Sequence, residues 1–165
     1  MAECRRMQPG DLAALTAIYN HYVRETAITL DTEERDPASS QAWLEGFATT
    51  GRYQCLVAVR EGVVAGWASS QRYNVRAGYD ATVSASIYLS PDAVGQGLGR
   101  RLYRTLFDAL AGQDIHLVFA GITLPNAASV ALHRSFGFEP AGTYREVGRK
   151  FGRFWDVGTY LKPFA

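Results

Sequence analysis

The 165-residue sequence has few cysteines, no long apolar run and almost no net charge. Its two cysteines, Cys4 and Cys55, have a spacing that suggests neither a disulfide nor a metal site, so we expect a reducing compartment. No apolar run approaches membrane-spanning length, and the N-terminus lacks the apolar core of a secretion signal. With a formal net charge of +1, no overall field favours nucleic acid or a membrane. These absences predict a cytoplasmic protein that needs no metal, nucleic acid or membrane.

The pattern of apolar residues predicts one domain over residues 1–165 with α+β architecture, because strand and helix periods alternate with short linkers. The predicted strands are residues 3–7, 55–59, 63–69, 82–89, 116–122, 139–144 and 155–162. We predict four helices. The first is capped by Asp11, the second begins near Ser39 or Ser40, and the other two span residues 97–111 and 126–136. Strand 116–122 is almost wholly apolar, which indicates burial on both faces.

A glycine-rich turn, Gly-Gln-Gly-Leu-Gly-Arg at residues 95–100, lies between a strand and a strongly amphipathic helix. Glycines at a helix N-terminus let backbone N–H groups approach an anion, although they also permit close packing alone. Arg100, Arg101 and Arg104 oppose the helix dipole there, which favours a bound polyanion. The turn lacks the Gly-Lys-Ser/Thr ending of a Walker A loop and the spacing of a dinucleotide fingerprint.

At this turn the sequence resembles the pyrophosphate motif of the GNAT acetyltransferase superfamily, Arg/Gln-x-x-Gly-x-Gly/Ala. Gly97 and Gly99 match the motif glycines, whereas Val94 departs from its first position. The likeness to the phosphinothricin acetyltransferase-like branch extends over nearly the whole chain. It is carried by residues 18–23, 25–33, 76–80, 87–91, 125–138 and 148–158.

This resemblance implies a GNAT fold: a mixed, mostly antiparallel sheet with about four flanking helices, whose middle strands around 84–89 and 116–122 splay apart. Acetyl-CoA would enter that gap as the cosubstrate, its pantetheine arm bonding Ile87 and Leu89 like an added strand. The implied cofactor-binding residues are Ile87, Tyr88, Leu89, Gly95, Gln96, Gly97, Leu98, Gly99, Arg100, Asn126, Ser129 and Ser135. A homodimer is also implied, with residues near Lys150 reaching the partner's pocket.

The acceptor residues implied by the resemblance are Asn74, Val75, Arg76, Tyr79 and Lys150. The Arg76 guanidinium suits bidentate pairing with a substrate carboxylate. Two structural alternatives stay open, namely that Arg76 is a solvated loop arginine and that Lys150 belongs to a solvated turn.

Amine acetylation needs a neutral amine and a proton for the departing thiolate. His133 is the candidate acid, since helical spacing places it below Asn126 and Ser129; the alternatives are a buried structural histidine and an Asn126 that only caps the helix. The branch has a glutamate base where this sequence has Ser84, which cannot take that proton directly but could hold a relay water. Asp80, Glu25 and Glu33 are the other candidates for the base.

The sequence therefore predicts an N-acetyltransferase that acts on the amino group of a small amino acid or analogue, such as phosphinothricin or methionine sulfoximine, by direct attack in a ternary complex. A second hypothesis keeps the fold with another acceptor: a polyamine, an antibiotic amine or a protein N-terminus. A third hypothesis, which Ser84 supports, is a non-catalytic module that binds coenzyme A.

Overall fold

Residues 2–164 are described by a computed structural model, and within them seven strands form one mixed sheet in the order β1-β2-β3-β4-β5-β7-β6. The strands are β1 Glu3–Arg6, β2 Cys55–Arg60, β3 Val63–Arg72, β4 Thr82–Leu89, β5 Leu117–Leu124, β6 Glu139–Lys150 and β7 Arg153–Pro163. The helices are α1 Leu12–Glu25, α2 Pro37–Leu44, α3 Leu98–Leu110 and α4 Ala127–Ser135. In this described part of the chain, none of the helices has the length and apolarity to cross a membrane.

One helix starts at a different residue than predicted, and another starts as predicted but lacks the predicted side-chain cap. Helix α2 begins at Pro37 rather than at a serine, because the Asp36 carboxylate accepts a hydrogen bond from the Ser39 backbone N–H at 2.7 Å and caps the helix. Asp11 does precede α1, but its side chain does not cap it. Instead the Asp11 carboxylate pairs with the Arg5 guanidinium at 2.7 Å, which lowers the pKa of that carboxyl group.

The two C-terminal strands are longer than predicted. They form a hairpin in which β6 runs to Lys150 and β7 starts at Arg153. The sequence pattern missed the second half of β6, where the register shifts between Tyr144 and Gly148 and interrupts the alternation of side chains.

The prediction that β5 is buried on both faces is wrong. Burial alternates along the strand, with Val118, Ala120 and Ile122 buried while Gly121 is exposed. Val118, Ala120 and Ile122 pack in the cluster under α3, whereas the cluster under α1 on the other face of the sheet includes no described residue of β5, so that face of the strand lacks helical cover.

The sheet has an apolar cluster on each face. Helix α3 packs Leu102, Leu106 and Leu110 on one face, together with Val83 and Val118. On the other face, α1 packs against an aromatic cluster that includes Trp67 and the partly buried Tyr88. Burial of these apolar side chains on both faces holds β4 in place although one of its edges is largely unpaired.

The gap between β4 and β5 is the main irregularity of the sheet. The two strands pair in parallel only from Thr82↔Leu117 to Ser84↔Phe119. Beyond that point each strand continues for five more residues, to Leu89 and Leu124, without further pairing between them. The splayed middle strands predicted from the resemblance are thereby confirmed, and the unpaired edge of β4 is available for hydrogen bonds to a ligand.

Candidate active site

Two adjoining cavities occupy the gap. The outer one, of about 340 Å³, lies between β4, the glycine turn and α4. The inner one, of about 50 Å³, lies between β4 and β5. The lining residues that the two cavities share are Ile28, Ile87, Tyr88, Asn126 and Ser129. A separate cavity of about 490 Å³ on the β6–β7 hairpin touches none of the predicted site residues, so the gap is the better candidate.

The glycine turn forms one wall of the outer cavity. Gly95 and Gly97 adopt φ values of 79° and 76°, the left-handed region that favours glycine. The first turn of α3 follows. Its first backbone hydrogen bond is the one that the Arg101 N–H donates to the Gly97 carbonyl. The backbone N–H groups at the start of this helix therefore lack intrahelical acceptors, which fits a bound anion.

The other turn residues have different roles. A Cβ on Gly99 would come within 3.3 Å of the Leu132 side chain, so this glycine serves close packing between α3 and α4. The Gln96 side chain points away from the cavity, and its Oε1 accepts a hydrogen bond from Arg60 at 2.7 Å. Arg60 also pairs with Asp92 at 2.8 Å. Arg60 and Asp92 therefore support the turn from outside the cavity, and no motif in the sequence indicates either residue.

Arg100 lines the outer cavity, next to the turn. The second arginine of the helix start, Arg101, instead donates a hydrogen bond to the Ala2 carbonyl at 2.5 Å. Of these two arginines, Arg100 is the one that lines the cavity.

The edge of β4 forms the facing wall. Ile87, Tyr88 and Leu89, the residues expected to contact the pantetheine arm, all line the outer cavity, and their contact with a cofactor stays a prediction. The Tyr22 hydroxyl donates a hydrogen bond to the Leu89 carbonyl at 2.6 Å, and burial raises the pKa of that hydroxyl. Tyr22 therefore fixes the end of the unpaired edge, a role that the sequence analysis did not assign.

Helix α4 contributes polar groups at its first turn. The Asn126 side chain caps the helix by accepting a hydrogen bond from the Ser129 N–H at 3.1 Å. Asn126 and Ser129 also line both cavities, so the capping role and the predicted binding role are compatible. Ser135 lies apart from both cavities, and its hydroxyl donates to the Leu132 carbonyl at 2.7 Å.

His133 is buried, with only 3% of its surface exposed, at the base of the inner cavity. Its Nε2 lies 2.8 Å from the Tyr103 hydroxyl, and its Nδ1 lies 2.7 Å from the Ser129 carbonyl. Because a carbonyl only accepts, Nδ1 carries the proton in the neutral ring and Nε2 accepts from Tyr103. Burial lowers the pKa of His133, so the neutral ring is favoured. Both ring nitrogens are engaged, and a role as acid stays a prediction.

Ser84 lies at the closed end of the gap, where β4 makes its last pair with Phe119. It is half-buried and lines neither cavity. Ser86, two residues further along the same face of β4, does line the inner cavity. The alternation of a strand places Ser84 and Ser86 on one face, and this was the signal that could have identified Ser86.

The carboxylates considered as bases lie outside the gap. Asp80 pairs with Arg72 at 3.0 Å. Glu25 is exposed at the end of α1, 3.9 Å from the Arg24 guanidinium, and Glu33 is also exposed. Among residues 2–164, neither cavity has an Asp or Glu in its lining. A proton from an acceptor amine would therefore have to leave through hydroxyl groups or water.

The predicted acceptor loop follows β3. Asn74 Oδ1 accepts a hydrogen bond from the Arg76 N–H at 3.0 Å, which shapes the loop. Arg76 and Val75 are exposed, and no ion pair involves the Arg76 guanidinium within the described residues. The ring of Tyr79 lies 5.7 Å from that of Tyr73, which in turn lies 5.1 Å from Phe119 at the closed end of the gap. Because Phe119 pairs with Ser84, these ring contacts place the loop near Ser84.

Lys150 is 5% exposed, so the alternative of a solvated turn is wrong for this residue. Its Nζ donates a hydrogen bond to the Thr29 carbonyl at 2.8 Å. Burial lowers the pKa of the Lys150 ammonium, while nearby Asp31 acts in the opposite direction. The side chain points into its own chain, and its role in binding an acceptor stays a prediction.

Fold and site together define a class of protein: one that binds a long, phosphate-bearing ligand along an open strand edge. The outer cavity suits such a ligand because it combines free amide donors at one end with apolar side chains along β4. The small inner cavity suits the group that the ligand would present for transfer.

Comparison with known proteins identifies the family. The model of the acetyltransferase (GNAT) family matches residues 15–138, and the chain belongs to this family. The chain is 47% identical over 163 residues to a phosphinothricin N-acetyltransferase of Streptomyces coelicolor, covering 96% of this chain and 95% of that protein. It is 40% identical over 148 residues to an L-methionine sulfoximine/L-methionine sulfone acetyltransferase of Salmonella typhimurium, covering 90% and 86%.

A solved structure gives the same result. The chain superposes with a TM-score of 0.94 on a GNAT superfamily phosphinothricin acetyltransferase from Sinorhizobium meliloti in complex with AcCoA, at 31% identity. The superposition covers 99% of this chain and 89% of that protein. The GNAT fold and the acetyltransferase class predicted from the sequence are confirmed.

Proposed function

We propose that this enzyme transfers the acetyl group of acetyl-CoA to the amino group of a small amino acid or amino-acid analogue. The observation that carries the proposal is the gap between β4 and β5, with free amide donors at residues 97–100 on one side and two adjoining cavities within it. Phosphinothricin and methionine sulfoximine, the acceptors named for the relatives, are both candidates.

Three parts of the chain would divide the work. The turn and Arg100 would bind the diphosphate, and the unpaired edge of β4 would align the pantetheine arm. Arg76 would bind the acceptor's carboxylate, which its unpaired and exposed guanidinium supports. The bound thioester supplies an activated acyl group, and holding both substrates together can account for roughly 7–11 kcal/mol of the barrier.

Proton transfer would use neutral groups. The inner cavity is lined by Ser86, Thr123 and Tyr103, whose hydroxyls can pass a proton through bound water. The Tyr103–His133 pair at its base is the candidate donor to the departing thiolate. In this proposal Ser84 holds a relay water at the closed end of the gap instead of acting as a base.

The test is a thiol-release assay with acetyl-CoA and a panel of single acceptors. The panel pairs each amino acid or analogue with the amine that lacks its carboxylate, and adds a polyamine and a peptide. We expect release with the carboxylate-bearing acceptors and little with their partners. Preference for the polyamine or the peptide would contradict the proposed acceptor class.

Within residues 2–164 neither cavity has a carboxylate in its lining, which favours a second candidate, a module that binds coenzyme A without catalysis. The same assay separates the two functions when it is combined with calorimetry. Binding of acetyl-CoA without thiol release from any acceptor would favour the module.

A homodimer is part of the proposal. The β6–β7 hairpin carries the exposed apolar side chains Tyr144, Val147, Phe151 and Phe154. Clustered exposed apolar side chains are typical of protein interfaces. Analytical ultracentrifugation should show a dimer that Phe151→Asp weakens, whereas a monomer at all concentrations would contradict this part. The cytoplasmic location also stays a prediction.

A further inference from the structure

The segment of residues 26–31, which we call the strap, crosses the gap between β4 and β5. It follows α1, and its residue Ile28 lines both cavities, in contact with the space between the two strands. Neither strand pairs with the other at this end of the gap. The strap therefore joins two parts of the sheet where its own hydrogen bonds are missing.

On the α1 side, Tyr19 holds the strap. Its hydroxyl lies 2.8 Å from the Thr29 hydroxyl and donates to the Asp31 carboxylate at 2.5 Å. The Arg35 guanidinium lies 3.9 Å from the centre of the Tyr19 ring and covers it. The pKa of the Tyr19 hydroxyl is raised, mainly by burial and next by its bond to Asp31, so it stays a donor.

On the side of the β6–β7 hairpin, Lys150 also holds Thr29 of the strap. Its Nζ donates to the backbone carbonyl of Thr29 at 2.8 Å, and the side chain is almost wholly buried. The Lys150 carbonyl in turn accepts a hydrogen bond from the Trp155 indole at 3.0 Å. Leu30 packs directly on Gly148, where a Cβ would clash with it.

These attachments fix the position of Ile28. Its neighbour Thr29 is held from both sides, while Ile28 itself remains 42% exposed at the junction of the two cavities. An apolar side chain at that junction limits the room that a transferred group has beside the inner cavity. The inner cavity is small, about 50 Å³, so a modest shift of Ile28 changes a large part of the available space.

We propose that Lys150 is a positioning residue that fastens the strap across the gap and so holds Ile28 as the wall that restricts the enzyme to short acyl groups. This inference rests on the proposed function, because it concerns the same thioester site. Lys150 acts through Thr29 and Ile28 and does not touch the reacting atoms.

The first experiment requires no catalysis. The sequence has two lysines, Lys150 and Lys162, so an amine-reactive acetyl ester followed by peptide mass spectrometry reads each one separately. We expect Lys150 to react at least about tenfold more slowly than Lys162, since its amine must first give up a hydrogen bond made by a charged donor. Acetyl-CoA should slow Lys150 further. Equal rates at the two lysines would overturn the proposal.

The second experiment compares acyl donors in Lys150→Met, with Lys162→Met as the matched control. The ratio of kcat/KM for butyryl-CoA to that for acetyl-CoA should rise about tenfold in Lys150→Met and stay unchanged in Lys162→Met. Ile28→Ala should raise the same ratio, because it removes the wall directly. A purely structural lysine would lower both activities alike and leave the ratio unchanged, and that result would overturn the proposal.

Hydrogen exchange distinguishes the failure of this inference from failure of the proposed function. Lys150→Met should increase amide exchange in the strap, and Lys162→Met should not. If the wild-type enzyme releases no thiol, but Lys150 is protected and amide exchange in the strap increases on substitution, the proposed reaction fails. The inference that Lys150 fastens the strap is then still supported. If thiol is released but amide exchange in the strap is unchanged by Lys150→Met, the inference that Lys150 fastens the strap is refuted.

Discussion

The two sides of the gap between β4 and β5 are built in different ways. The cofactor side uses backbone groups from one continuous stretch, in which Gly95 and Gly97 shape the turn and α3 begins directly after it. The side that we propose for the acceptor, called the acceptor side, is built from side chains of distant segments, such as Lys150, which reaches Thr29 across 121 positions of sequence. A local backbone site can be recognised from a short motif, whereas a site assembled from distant side chains cannot.

The largest expected effect is on the cofactor side. Gly97→Val should abolish detectable binding of acetyl-CoA in calorimetry, because a β-branched residue does not tolerate the φ of 76° at this position. The turn would change its conformation, and its N–H groups would no longer point at the anion.

Gly62→Val is the matched control for this substitution. Gly62 has a φ of 79° in the turn between β2 and β3, with open space around it, so the backbone strain of about 1–3 kcal/mol should be similar. It lies outside both cavities, and acetyl-CoA affinity should be unchanged. Equal loss of affinity in both variants would show that general destabilisation, and not the turn, controls binding.

Much of the cofactor side was predictable from the sequence for this local reason. Glycines at 95 and 97 permit the left-handed backbone that this turn adopts, and the amphipathic pattern after them predicts the helix whose free N–H groups complete the turn. The splay itself was not contained in any local pattern and came from the family resemblance. The burial of β5 was predicted wrongly because an apolar run does not reveal whether helices cover one face of the sheet or both.

The acceptor side was harder to predict because its contacts join distant segments. The sequence pattern allowed a solvated turn at Lys150, although Lys150 is buried against the strap. Ser84 was identified by its position in the family pattern, whereas Ser86 is the serine that lines the inner cavity. Side chains at the end of a loop or strand acquire their surroundings only through tertiary packing.

On the acceptor side, Ser84→Glu should raise kcat/KM for an amino-acid acceptor at neutral pH by about a hundredfold, the low end of the range for a positioned base. Ser84→Gln introduces a side chain of nearly the same size as glutamate, but an amide cannot take the proton from the amine. This variant should therefore show no gain in kcat/KM. Stopped-assay kinetics across the acceptor panel measure both variants. Identical kinetics for the two would mean that position 84 does not contact the acceptor amine.

Arg76→Ala tests the other end of the acceptor. It should raise KM for an amino-acid acceptor about tenfold, the effect of losing a hydrogen bond to a charged group, with little change in kcat. The matched amine without a carboxylate should show no change, which separates carboxylate binding from loop disruption. An equal loss for both acceptors would assign Arg76 a structural role.

The smallest expected effect concerns the base of the gap, which belongs to both sides. His133 is buried between Tyr103 and Ser129, and burial lowers its pKa below the ordinary value of about 6.5. As pH falls below that value, the unfolded chain takes up the proton first, so the free energy of unfolding should decrease until pH passes the folded-state pKa. Above it the ring is neutral in both states and contributes no slope.

Urea unfolding at pH 7.5 and pH 5.5 isolates this contribution when wild type is compared with His133→Gln. The wild-type chain should lose more stability over this interval than the variant does, because unfolding frees the His133 imidazole to take up a proton there and the glutamine of the variant cannot do so. The exposed His116 supplies the control, since His116→Gln should keep the wild-type dependence on pH. Equal slopes for wild type and His133→Gln would mean that His133 is protonated as readily in the folded enzyme as in the unfolded chain, which would favour the acid role over the buried neutral pair.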